Sequence, residues 1–152
     1  MADIDNVRTL LTEAATHEAQ IASLLQVGDA TFEIDTDSGV TITLDYDGGT
    51  GRLMLSADVG TPAANAREVI YDAMLNYGML WRETGNVRLA VAGKSGQAVL
   101  MADLFAFALN PSAMAIVIVN FAEKAILWRG IVGAGAEAAE TLLSSDFGMI
   151  RV

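Results

Sequence analysis

The chain has 152 residues, enough to bury the core of one domain, and it has no cysteine, so disulfides and thiol chemistry are excluded. Its formal net charge of −10 argues against nucleic acid and membrane surfaces as partners, because both are themselves negatively charged. Hydrophobic residues make up 53% of the sequence, more than one small domain readily hides, so we expect some of them at an oligomer interface or a partner-binding face.

The first segment is predicted to be a helix that begins after Asp3 and ends at Gly28. Asp3 is a suitable N-cap, and glycine is the residue that most often follows the end of a helix. Apolar residues recur near helical spacing through the whole segment. They are Ile4, Val7, Leu11, Ala14, Ile21 and Leu25.

Three strands are predicted next, over residues 30–35, 40–46 and 53–59, because apolar and polar side chains alternate there. Turns of acidic residues and glycine separate them at residues 37–39 and 47–49. Strands joined by such short turns form an antiparallel meander with one buried face.

The second half of the sequence predicts a helix over residues 64–83 and then a hairpin with strands over 87–91 and 97–102. A long helix follows from Ser112, its expected N-cap, to Val132. The order α-β-β-β-α-β-β-α predicts an α+β fold, a mainly antiparallel sheet packed against helices.

We expect one domain over residues 1–152, with a core at about 3–132 and a C-terminal extension at 133–152. The start of the chain lacks the basic region and apolar stretch of a secretory signal. An uncharged window over residues 104–122 has the length of a membrane helix, but Asn110 and Pro111 interrupt it. The sequence therefore predicts a cytoplasmic protein without membrane insertion.

No group of residues has the spacing of a catalytic, cofactor-binding or metal site. His17 is the only histidine, and spacing supplies it with neither a nucleophile nor an orienting acid. Residues 93–95, Gly-Lys-Ser, follow a predicted strand as in a phosphate loop, but Arg88 stands where that loop needs glycine. Asp35 and Asp37 lack the spaced oxygen ligands of an EF-hand. We expect no enzyme, no cofactor and no metal, and an enzyme or small-molecule module ranks third among the hypotheses.

Several strings resemble the class I type III secretion chaperones, the Tir chaperone family. Residues 53–60, Leu-Met-Leu-Ser-Ala-Asp-Val-Gly, match that family's Leu-x-Leu-x-Ala-x-Leu-Gly strand with valine for the last leucine. Residues 74–76, Met-Leu-Asn, approximate its helix motif, and residues 121–123 with Trp128 fit its final helix. Together with the small size, the acidity and the order of elements, the resemblance covers about residues 21–132.

The resemblance implies a bacterial homodimer that binds the N-terminal segment of a secreted effector in extended form and keeps it competent for secretion. It implies no nucleotide and no cofactor. An extended peptide can add to the edge of a sheet, where pockets for alternate side chains supply selectivity. The second hypothesis is a chaperone-like regulatory or adaptor dimer that is not tied to secretion.

Two sets of apolar residues are candidates for these contacts. The first helix and the meander carry more apolar side chains than their own packing obviously requires. The effector-binding candidates are Leu10, Leu11, Ile21, Leu25, Ile34, Leu44 and Leu55. In the family, the second helix and its neighbouring strand commonly form the subunit contact, and the dimer-interface candidates on the helix are Val69, Met74, Tyr77 and Trp81. For each effector-binding candidate, the alternative is that the residue belongs to the hydrophobic core. The exposure of its side chain distinguishes the two.

Overall fold

The computed structural model describes residues 3–80, 82–135, 137, 140 and 141. Its elements in chain order are α1 Ile4–His17, β1 Ile21–Gln26, β2 Thr31–Thr36, β3 Thr41–Asp47, β4 Arg52–Gly60, α2 Arg67–Gly78, β5 Arg88–Ala92, β6 Gln97–Phe105 and α3 Pro111–Val132. The strands form one sheet in the order β1-β2-β3-β4-β6-β5, with antiparallel pairing of β1 to β2, β2 to β3, β3 to β4 and β5 to β6. The predicted α+β class and order of elements are confirmed, with one strand added after α1.

The chain divides into two compact units. Unit 1 comprises Met1–Ala57 and Ala102–Lys124, and unit 2 comprises Asp58–Met101 and Ala125–Val152. Unit 1 has twelve acidic and three basic residues, whereas unit 2 has seven acidic and six basic residues. Nearly all of the net negative charge therefore belongs to unit 1. Most of the predicted C-terminal extension, residues 133–152, lies outside the described residues.

Unit 1 is built on the buried face of the meander. Apolar side chains lie opposite one another across its strands: Ile34 faces Ile42, and Leu44 faces Leu55. These four side chains have no exposed surface. The buried residues of α1 recur at helical spacing and are Val7, Leu10, Leu11 and Ala14. Because buried apolar surface stabilises a fold by roughly 25 cal/mol per Å², this face supplies much of the stability of unit 1.

Unit 2 contains α2 beside β5. The buried residues of α2 are Ile70, Met74 and Tyr77, which recur every three or four positions and so lie on one face. The ring of Tyr77 meets the indole of Trp128 edge-on, with centroids 5.2 Å apart and planes at 79°. Both side chains are buried, so this pair anchors α2 in the core of unit 2.

The turn between β5 and β6 is tied to α2 by one hydrogen bond. The hydroxyl of Tyr71 donates to the carbonyl oxygen of Gly96 at 2.7 Å. Gly96 has a φ of +80°, and a Cβ placed there would lie 2.6 Å from the Tyr71 hydroxyl oxygen. The position therefore needs glycine both for its backbone conformation and for space.

The first predicted helix is too long. Helix α1 ends at His17, and residues 21–26 form strand β1, which pairs with β2 and places Leu24 opposite Ile34. The apolar stripe on which the longer helix was predicted is interrupted. Between Ala14 and Ile21, the positions that should continue it are occupied by His17 and Glu18. Pairing with β2 satisfies the backbone groups on one side of this segment and buries Ile21, so contact with the neighbouring strand decides its conformation.

Helix α3 begins two residues earlier than predicted, and Asn110 is its N-cap in place of Ser112. The Asn110 side-chain oxygen accepts a hydrogen bond from the amide of Ala113 at 2.8 Å, and its carbonyl oxygen accepts one from Met114 at 2.9 Å. Pro111 occupies the first helical position, where its missing N–H costs no hydrogen bond.

The apolar window over residues 104–122 is not one helix. It contains the end of β6, a turn and the first half of α3. Across the described part of the chain, no helix combines the length and the apolar character needed to cross a membrane.

Candidate functional site: exposed apolar surfaces of β1 and α2

Strand β1 lies at one end of the sheet, and β2 is its one neighbour among the described strands. The outer side of an edge strand presents backbone N–H and C=O groups that can pair with an additional extended chain. Ile21 is buried at the start of β1, whereas most of the remaining residues of the strand are exposed. This edge of the described sheet is therefore available for strand addition.

Two apolar side chains stand on or beside this edge. Leu25 is 61% exposed, and Val27 just after the strand is about half exposed. They are two positions apart, which in extended chain places them on the same face. The amide of Val27 donates to the carbonyl oxygen of Thr31 at 2.9 Å, so the turn into β2 holds it in place. Exposed leucine and valine at an open edge are suited to contact with apolar side chains of an added strand.

The face that Leu25 shares is acidic. Leu25 lies opposite Glu33 and Ser23 opposite Asp35 in the β1–β2 register. The Asp35 carboxylate accepts hydrogen bonds from Ser23 at 3.1 Å and from Thr41 at 2.6 Å. Its oxygens therefore form part of a hydroxyl–carboxylate pattern across three strands, with negative charge next to the exposed leucine.

The seven effector-binding candidates separate by exposure. Leu25 is exposed, whereas the other six are buried within the chain. Leu10 and Leu11 lie on α1, Ile21 begins β1, and Ile34, Leu44 and Leu55 lie on successive strands of the meander. The pairing of β3 with β4 brings Leu44 and Leu55 together. A buried side chain contributes to a surface only indirectly, through the elements it supports, so Leu25 alone among the seven can meet a partner directly.

Helix α2 carries two exposed apolar residues that the sequence prediction did not select. Leu75 near the C-terminal end of the helix and Met79, the C-cap residue just after it, are 76% and 80% exposed and lie four positions apart. Residues at this spacing share one face, so the two side chains form an apolar surface on α2. The signal in the sequence was the presence of apolar residues outside the stripe of Ile70, Met74 and Tyr77.

The dimer-interface candidates are placed differently. Met74 and Tyr77 are buried in unit 2, and Val69 is partly exposed. Trp81 lies outside the described residues. Burial raises the pKa of Tyr77 above its ordinary value of 10.0, and the neighbouring indole of Trp128 acts in the opposite direction. Tyr77 is therefore a neutral core residue at physiological pH.

The opposite end of the sheet is formed by β5. Its residues are half-buried along the strand, with Val91 exposed. Within the described residues β5 pairs with β6, placing Leu89 opposite Leu100 and Val91 opposite Ala98. The sheet thus has a second edge, in unit 2, and its neighbour by contact is α2.

Comparison with known proteins identifies the family. The model of the Tir chaperone protein (CesT) family matches residues 14–129, which is more than half of the chain. The chain belongs to this family. A search of curated proteins finds no match.

Three solved structures share the fold. The crystal structure of the ExsC–ExsE complex has a chain that matches with a TM-score of 0.70 at 21% identity, over 87% of this chain and 97% of that one. A chain of the HopA1–SchA chaperone–effector complex matches with a TM-score of 0.63 at 18% identity, over 85% and 98%. A chain of the heterodimeric ExoU–SpcU complex from the type III secretion system of Pseudomonas aeruginosa matches with a TM-score of 0.59 at 17% identity, over 78% and 93%.

Proposed function

We propose that this chain is a type III secretion chaperone that acts in the bacterial cytoplasm. In this proposal it forms a homodimer, binds the N-terminal segment of a secreted effector in extended form, and keeps that segment competent for secretion. Membership of the Tir chaperone family supports the class of function. The observation that carries the proposal is the open edge of β1 with the exposed Leu25 beside it.

The effector segment is proposed to lie along β1 as an added strand. Backbone hydrogen bonds to the β1 edge give affinity that depends little on sequence, and contact with Leu25 and Val27 selects apolar residues at alternate positions. The six buried candidates, from Leu10 to Leu55, hold α1 and the meander beneath this edge. Because the segment is held extended, it is kept from folding in this region.

The second copy of the chain is proposed to cover the Leu75–Met79 surface of α2. Two side chains that are more than three-quarters exposed are costly to leave in water, because each buried leucine or methionine contributes about 1.5–3 kcal/mol. Unit 2 is also nearly neutral in formal charge, so two such surfaces can approach without strong repulsion. The partly exposed Val69 is a further proposed participant, and the buried Met74 and Tyr77 support the helix from the core. Trp81 stays a proposed participant.

Co-expression tests the proposal. A tagged copy of the chain is expressed with a secreted protein encoded beside it, and with a version of that protein that lacks its N-terminal segment. The full-length partner should co-purify with the chain, and the truncated partner should not. A strain that lacks the chain should lose secretion of that partner while the secretion of other substrates continues.

The same experiment distinguishes a secretion chaperone from the second hypothesis, a regulatory or adaptor dimer that is not tied to secretion. A regulatory or adaptor dimer would capture a partner that stays in the cytoplasm, and deletion of the chain would leave secretion unchanged. Capture through a folded domain of the partner, with the N-terminal segment dispensable, would contradict the proposed mode of binding.

A further inference from the structure

A cleft of roughly 350 Å³ lies in unit 1, between the β3–β4 turn and the segment that joins β6 to α3. Its lining residues are Gly48, Gly49, Thr50, Gly51, Phe105, Phe107 and Ala108. None of them belongs to β1 or α2, so the cleft is separate from both surfaces used in the proposed function. Its volume is at the lower end of the range of ligand-binding clefts and suits one or two amino-acid side chains.

Two phenylalanines form the apolar wall of the cleft. Phe105 and Phe107 are 57% and 50% exposed, whereas Ala106 between them is fully buried. The amide of Ala106 donates to the carbonyl oxygen of Gly51 at 3.1 Å, which ties this segment to the β3–β4 turn. The alternation therefore turns both rings away from the core, and neighbouring exposed aromatics of this kind mark interaction sites.

The Phe105 ring is held by charged neighbours. The guanidinium of Arg52 lies 5.4 Å from the ring centroid, and its nitrogen pairs with the Asp103 carboxylate at 2.9 Å. The cation–π contact and the ion pair fix the ring against one side of the sheet. Arg52 is thereby engaged, and its charge is balanced by that of Asp103.

The opposite wall is a turn organised by Asp47. The Asp47 carboxylate accepts a hydrogen bond from the amide of Gly49 at 2.9 Å and another from the hydroxyl of Thr50 at 2.7 Å. The bond from Thr50, followed by that from Gly49, lowers the pKa of Asp47. Gly51 has a φ of +73°, which favours glycine, and the three glycines leave this wall with little side-chain bulk beside Thr50. An added peptide can therefore approach the backbone closely beside a carboxylate that stays charged.

We propose that this cleft is a second docking site, which receives one apolar side chain of a partner protein from a segment that carries lysine or arginine beside it. The aromatic wall and the volume of the cleft favour an apolar side chain. Unit 1 has twelve acidic residues, Asp47 among them, and three basic residues. This negative charge favours a partner segment with lysine or arginine beside the apolar side chain. The site adds a contact for a partner that β1 and α2 do not provide.

Amide NMR of the full-length chain tests this site with a blocked peptide, Lys-Leu-Lys-Leu-Lys. The peptide should cause saturable shifts of the Gly48, Gly49 and Gly51 amides, and added salt should weaken the binding. Phe107→Ser should weaken the binding that is followed at these glycine amides by about fivefold or more, as loss of an aromatic anchor does. Ala108→Arg should have the same effect, because it fills the cleft and repels the peptide. Ile116→Ser, at a position 54% exposed in the same unit, is the matched control and should bind as the wild type does.

Three results would overturn the proposal. One is the absence of saturable shifts in the turn, and another is equal binding in Phe107→Ser and the wild type. The third is that Glu-Leu-Glu-Leu-Glu binds as tightly as Lys-Leu-Lys-Leu-Lys, which would show that charge plays no role. Weaker binding of Lys-Ser-Lys-Ser-Lys than of Lys-Leu-Lys-Leu-Lys would support the role of the apolar side chain. A change of oligomeric state in Phe107→Ser would assign the cleft to a second copy of the chain and would equally refute a partner segment. Peptide bound at the β1 edge would shift the amides of residues 21–26, so binding there is followed separately from binding in the cleft.

Discussion

Leu25 on β1 lies directly opposite Glu33 on β2, so an exposed apolar side chain and a carboxylate share one face at the edge of the sheet. An extended segment that adds to this edge meets both. Its apolar residues can cover Leu25, and its basic residues can approach Glu33 and Asp35. This pairing defines the surface on which the proposed capture of an effector depends.

Leu25→Asp should reduce capture of a partner severely and leave the fold intact. The side chain is mostly exposed, so the free energy of unfolding should change by no more than about 0.5 kcal/mol. A carboxylate at this position removes the apolar contact and adds charge beside Glu33. Co-purification with the partner and thermal melting of the free chain measure the two effects.

Leu11→Asp and Ile116→Asp are the controls for Leu25→Asp. Leu11 has no exposed surface, so a charge there should unfold unit 1, and lost capture would then reveal nothing about a surface. Ile116 is exposed like Leu25 but lies on α3, and its substitution should leave capture unchanged. Normal capture by Leu25→Asp would show that β1 is not the binding edge.

Leu75→Asp combined with Met79→Asp should convert the proposed dimer to a monomer. Both side chains lie on the open face of α2, so charge there should be tolerated in a monomer and repelled in a symmetric interface. Sedimentation velocity at micromolar concentration measures the change. Tyr77→Asp is unsuitable for this purpose because Tyr77 is buried against Trp128. A wild-type chain that sediments as a monomer would contradict the proposed homodimer.

Asn110→Ala should destabilise the protein by about 0.5–2 kcal/mol, because it removes the side-chain oxygen that caps α3. Ser112→Ala is the matched control and should change the free energy of unfolding much less, since Ser112 is an exposed residue inside the helix. Urea unfolding of the two variants measures the difference. Equal losses of unfolding free energy in the two variants would show that Asn110 is not the N-cap of α3.

Tyr77 should make the stability depend on alkaline pH. Because burial raises its pKa in the folded state, the folded protein holds the phenol proton more tightly than the unfolded chain does. This contribution is complete below about pH 10, the ordinary value, and is lost as the pH rises toward the folded pKa. Urea unfolding at rising pH should show a smaller alkaline loss in Tyr77→Phe than in the wild type. The same loss in both would contradict a buried, neutral Tyr77.

The meander could be predicted from the sequence because the pattern that indicates each strand lies within the strand itself. Alternating apolar residues such as Ile42 and Leu44 fix both the strand and its buried face, whatever lies elsewhere in the chain. Strand β1 could not be read in this way. Its residues fit a helix nearly as well, and the pairing of Leu24 with Ile34 that decides the conformation depends on the neighbouring strand β2, not on the periodicity of the segment itself.

The candidate surfaces were harder to predict than the fold. Selection of apolar residues that continue a periodic pattern finds core, as it did with Leu44 and Tyr77, because periodicity reports the buried face. The surfaces proposed to bind another chain consist of apolar residues that break the pattern. Leu75 and Met79 on α2 and Phe107 after β6 are of this kind, and only their exposure in the folded chain distinguishes them.

Amide hydrogen exchange in the co-purified complex is the most direct test of the central claim, that a partner segment adds to the edge of β1. Residues 21–26 should exchange much more slowly in the complex than in the free chain, while the β5 edge, residues 88–92, serves as the internal reference and changes little. Unchanged exchange in β1, together with new protection of β5 or of no strand, would contradict capture at this edge.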